Sequence, residues 1–127
     1  MANEIVKLEK VVDELDQICA AYNPLEVALM PRLKAALVTA SAIARARALL
    51  TNDIVKELIL PLKDTSLGFK TDEQSKLEKG KPPYAIEQVR DVAIEASLRG
   101  FSLFGNEFNM LFGGFYAAKN GLARKLK

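Results

Sequence analysis

The sequence predicts a mainly α domain of the α+β kind, with four to five helices and one short strand or hairpin near residues 101–112. Three observations predict it. Ile5, Leu8, Val12, Leu15, Cys19 and Tyr22 recur at alternating spacings of three and four. Pro24, Pro31 and Pro61 stand where helices would start and stop. Phe108, Met110 and Phe112 alternate with Glu107, Asn109 and Leu111, which is a strand period. A chain of 127 residues, 50 % hydrophobic, suits a single domain over 1–127, and a charged fraction of 27 % with net charge +2 is ordinary for a globular protein.

The 5–22 stripe, widened by Val11 and Ile18, predicts an amphipathic first helix, acidic on its outer side. "YNPLEV" places Asn23 as a cap and Pro24 at the first position of a second helix, which Pro31 kinks or restarts. An alanine-rich helix follows, its many small residues letting a neighbour approach closely. Leu33, Leu37, Ile43 and Leu50 are expected to fill its gaps, and Arg32, Lys34, Arg45 and Arg47 to form its solvated face. Thr51 or Asn52 can cap a third helix that ends at Pro61. Residues 62–83 hold glycine, proline and mixed charge without a period, and read as a long mobile loop, least ordered from Glu73 to Pro82. "YAIEQVRDVAIEASLRG" is a helix apolar on most of its circumference and ended by Gly100, so it belongs at the centre beside the alanine-rich helix. Gly105-Asn106 can turn a hairpin onto Phe101 and Leu103, and Phe115, Ala118, Leu122 and Leu126 return to helical spacing, with Gly121 a weak point.

There is no histidine, one cysteine, and no metal-ligand, nucleophile or phosphate-loop pattern, so no catalytic residue, metal or cofactor is expected and the chain does not read as an enzyme. Asp64, Asp72, Glu73 and Glu78 read as solvated charges. Cys19 reads as a small buried hydrophobe. The acidic start is unlike a signal peptide and the apolar run 35–44 is too short to cross a bilayer, so a cytoplasmic protein away from membranes is expected.

The end of the chain carries the chemistry that remains. After Glu107 there is no acid, and Lys119, Arg124, Lys125 and Lys127 follow an aromatic run. Cations on phosphate, with aromatic faces stacking on bases, would suit single-stranded nucleic acid of any sequence. The plainer reading makes Phe108, Phe112 and Phe115 core residues and the basic end a favourable helix terminus.

The second half also resembles phage RecT-type single-strand annealing proteins. The resemblance rests on Ala93, Ala96, Arg99-Gly100-Phe101, Gly105-Asn106, Phe108 to Gly113 and Leu122-Ala123-Arg124-Lys125, with residues 60–72, "LPLKDTSLGFKTD", ahead of them. It implies a recombination module, or the N-terminal portion of one, that binds and anneals single-stranded DNA without nucleotide or metal. Lys119, Arg124 and Lys125 would lie on phosphate and Phe115 or Tyr116 against bases. It also implies assembly as rings or filaments. The acidic first helix and basic last helix suggest a head-to-tail contact between copies. The alternative is a small helical adaptor or inhibitor that binds a phage or host protein through the 5–22 stripe or the alanine-rich helix.

Overall fold

The computed structural model describes the backbone of residues 2–125 and the side chains of residues 6–125. The expected contributions of Ile5, Leu126 and Lys127 lie outside these. Helix holds 64 % of the chain and a three-stranded sheet completes it, so the class is mainly α with an α+β character. The helices are α1 (Ala2–Ala21), α2 (Pro24–Leu29), α3 (Arg32–Leu49), α4 (Asn52–Ile54), α5 (Glu73–Glu78), α6 (Ile86–Leu98) and α7 (Lys119–Lys125). The strands are β1 (Lys70–Thr71), β2 (Phe108–Leu111) and β3 (Gly114–Ala117).

Side-chain caps set the starts of α2 and α4. Asn23 Oδ1 accepts from Leu25 N at 2.9 Å and Glu26 N at 3.3 Å, with Pro24 in the first turn of α2. Thr51 Oγ1 accepts from Ile54 N at 3.4 Å at the start of α4. The chain then widens into a π-turn over Val55–Ile59 and tightens into a 3-10 turn at Leu60–Leu62, around Pro61. Val55 and Ile59 are both fully buried, so the widened turn seats two β-branched residues in the core.

α6 is the central element, packing against α3, the π-turn, β2 and β3. It buries Val89, Val92, Ala93, Ile94, Ala96 and Leu98. α1 lies along α3, joined to it by a hydrogen bond of 3.0 Å between Tyr22 Oη and Thr39 Oγ1. Below them runs an aromatic file. Phe69 stacks on Phe108 with centroids 4.9 Å apart, Phe108 on Phe115 at 5.8 Å, and Phe101 meets Phe115 edge-on at 5.1 Å.

Several expectations change here. The hairpin does not turn at Gly105-Asn106. Leu111 pairs with Gly114, so its loop is Phe112-Gly113, and Phe115–Ala117, read as helix, form the returning strand β3. The 62–83 connection is not featureless: β1 pairs in parallel with β2, and α5 follows. Lys63 Nζ meets Glu73 Oε1 at 2.7 Å and Tyr84 N donates to Glu73 Oε2 at 3.0 Å, which ties both ends of the segment together. Gly68 passes so close to Leu62 that a Cβ would lie 2.1 Å from its carbonyl oxygen. Gly121 is no weak point either. It is buried, with room for a Cβ denied by the Glu107 carbonyl at 2.3 Å and the Phe101 ring at 2.6 Å.

Candidate functional site

The C-terminal group named from sequence is mostly occupied inside the fold. Arg124 forks onto Glu107, Nε to Oε2 at 2.5 Å and Nη2 to Oε1 at 2.8 Å, and also donates to the Gly100 carbonyl. Ser102 N donates to Glu107 Oε1 at 2.8 Å. Burial raises the Glu107 pKa, but these donors outweigh it and hold the carboxyl below its ordinary value. Lys125 Nζ donates to the Arg99 carbonyl at 2.8 Å, over the Phe101 ring at 5.2 Å, and so closes the end of α6. Phe115 is half-buried in the aromatic file, with the Arg99 guanidinium 5.4 Å from its centroid. Lys119 and Tyr116 are exposed, and Tyr116 meets Phe112 edge-on at 6.5 Å. The structure does not gather these five residues into one exposed cluster.

The loop carboxylates are structural pins. Asp64 Oδ1 accepts from Thr71 N at 2.7 Å. Asp72 accepts from the Tyr84 hydroxyl and, through Oδ2, from Phe112 N at 3.1 Å, while Gly113 N donates to Tyr84 Oη at 3.0 Å. This network holds the hairpin loop, where Phe112 at φ 54° and Gly113 at φ 77° are both left-handed, as a type I′ turn requires. Among the described residues no three His, Cys, Asp or Glu side chains come together as a metal site. No described helix is long and apolar enough to cross a membrane.

Within the described part of the 5–22 stripe, Ile18 is buried in the core and Leu8, Val11, Leu15, Cys19 and Tyr22 pack against that core. The largest departure from ordinary burial is on α2 and α3. Leu25 is 79 % exposed, Leu29 88 %, Leu33 87 % and Leu37 70 %. Leu33 and Leu37 therefore do not fill gaps in the interior as expected. α3 turns Ala42 and Ala46 inward instead. At 100° per residue, Leu33, Leu37, Ala40, Ala44 and Ala48 fall on one outward stripe, and all five are exposed. Lys34 and Arg45 border that stripe on one side, and Arg32 and Arg47 on the other. Arg47 is bound to Asp91 of α6 by two contacts of 3.1 Å, whereas Arg32, Lys34 and Arg45 extend into solvent. Beside the stripe, Val27, Ala28, Ala36, Thr39 and Ile43 line a shallow groove between α2 and α3.

Sequence reading placed these leucines inside because α3 is apolar nearly all round, so its period does not say which face is inward. A signal was available: the cations fall on either side of the Leu33–Ala48 stripe, and such a border belongs to a solvent-facing surface. The chain is thus a mainly α protein of α+β character with an exposed apolar stripe on α3 bordered by cations. No family model, curated protein or solved structure matches the chain.

Proposed function

We propose that the protein is a small helical adaptor that acts by binding another protein through the outward face of α3. The observation that carries this is Leu33 at 87 % and Leu37 at 70 % exposure on a stripe continued by Ala40, Ala44 and Ala48. Two leucines one turn apart add little burial to the fold where they stand, and large contiguous apolar surface marks interaction sites. The test is affinity capture from cell extract with the wild type and with Leu33→Glu/Leu37→Glu, after circular dichroism has shown equal helix content. A protein held by the wild type and lost by the variant supports the reading. Equal capture by both contradicts it.

One observation favours nucleic-acid binding as a second reading, with the resemblance to RecT-type annealing proteins behind it. Lys70, Asn109 and Tyr116 stand in register across β1, β2 and β3, on the face opposite buried Phe108 and Met110, and exposed Phe112 lies at the sheet's end. A tyrosine and a lysine on one sheet face, with a second ring at its end, suit single-stranded nucleic acid, with Lys119 the nearest helix cation in sequence. Titration of a labelled oligonucleotide at low salt tests it. Phe112→Ala/Tyr116→Ala should weaken binding by tenfold or more on the basis of about 1–3 kcal/mol per stacked base, and unchanged affinity contradicts the reading.

A further inference from the structure

We infer that the occupant of the α3 face is an acidic amphipathic helix of another protein, an inference that rests on the docking reading above and adds the partner's chemistry.

The shape of the stripe argues for a helix. Leu33, Leu37, Ala40 and Ala44 follow spacings of four, three and four, the seam of a helix pair, and Ala48 extends it by another turn. From Leu33 to Ala48 the stripe runs about 24 Å at 1.5 Å per residue, so a partner helix of some four turns covers it. Two leucines at one end and three alanines at the other make a graded surface, on which larger side chains of the partner fit over the alanines. A lipid surface is the poorer match, because interfacial helices anchor through large apolar side chains and alanine contributes little there.

The charge borders argue for acid. α3 carries Arg32, Lys34, Arg45 and Arg47 and no acidic residue. Arg47 is held by Asp91, which it shares with Arg90, while Arg32 on one side of the seam and Lys34 and Arg45 on the other are exposed. The nearest acids in sequence are Glu26 on α2 and Asp53 on α4. Glutamates flanking the partner's apolar stripe would meet these cations as e and g positions meet across a coiled coil. A second copy does not satisfy this. α3 against α3 sets cation against cation, and α1, whose Glu9, Asp13 and Asp16 are exposed, has already packed Leu8, Val11, Leu15 and Ile18 onto its own core.

The probes are two labelled 21-residue helical peptides with the same leucine seam, one flanked by glutamate and one by lysine, titrated into the full chain by fluorescence anisotropy at low and high salt. The inference expects the glutamate peptide to bind at least tenfold tighter than the lysine peptide, and to weaken as salt rises. It expects Arg32→Glu/Lys34→Glu/Arg45→Glu to reverse that order. Equal binding of both peptides, lost in Leu33→Glu/Leu37→Glu, overturns the acidic partner and leaves the docking face standing. Binding of the glutamate peptide that survives Leu33→Glu/Leu37→Glu removes the face itself. Failure of both peptides beside co-sedimentation with anionic phosphatidylserine vesicles, or self-association that the leucine variant abolishes, assigns the face to lipid or to a second copy and overturns the inference.

Discussion

At the scale of single residues, Glu107 and Gly121 show how the C-terminal helix is held. Glu107 is 6 % exposed and accepts the Arg124 fork, so removing its charge leaves a cation with no acid beside it in this corner of the fold. Because Arg124 is itself half-exposed, Glu107→Gln should cost a modest ~1–2 kcal/mol, measured by urea denaturation at neutral pH. The pH dependence has a definite sign. The folded-state pKa of Glu107 is depressed, so its contribution is present above the ordinary glutamate value of 4.5 and is lost as pH falls through the lower folded value. Wild type and Glu107→Gln should therefore converge in stability in acid; a difference that stays constant down to pH 2 would contradict this. Gly121→Ala must push a methyl into the Glu107 carbonyl and the Phe101 ring, and should cost about 1–3 kcal/mol in the same assay. Sequence reading saw Gly121 as helix-weakening because propensity is a local property, whereas this glycine is required by a neighbour 14 residues away.

At the scale of elements, the hairpin and the 62–83 segment separate what was legible from what was not. Caps at Asn23 and Thr51, the stop near Pro61 and the buried α6 were readable because each depends on residues within one or two turns. β1 was not. It is two residues long, and its strand character comes from pairing with β2 across nearly forty positions of sequence. The turn at Phe112-Gly113 was hidden for a similar reason. Phenylalanine is a poor residue at φ 54°, and Asp72 and Tyr84 hold it there from elsewhere in the chain. Phe112 is 86 % exposed, so Phe112→Asn should relieve backbone strain at little packing cost and raise stability by about 1 kcal/mol. A fall in the thermal midpoint would show instead that the phenyl ring supports the hairpin. The exposed face of α3 was half legible: the cation border is in the sequence, but the inward choice of Ala42 and Ala46 over Leu33 and Leu37 is decided by packing against the rest of the fold.

At the scale of the molecule, the core and the exposed leucines use different faces of α3. Its inward alanines lie with α6 and α1 in one buried cluster, while Leu33 and Leu37 stand on the opposite side. On the docking proposal, Leu33 and Leu37 are held for a partner and not for the fold. Chemical denaturation of Leu33→Gln/Leu37→Gln against the wild type tests it most directly, since glutamine keeps helix propensity and removes the apolar surface. If the leucines serve docking alone, the two proteins unfold within about 0.5 kcal/mol of each other, as substitutions at exposed positions do. A loss of more than about 3 kcal/mol, the scale of buried leucines, would place them in the core and contradict the account.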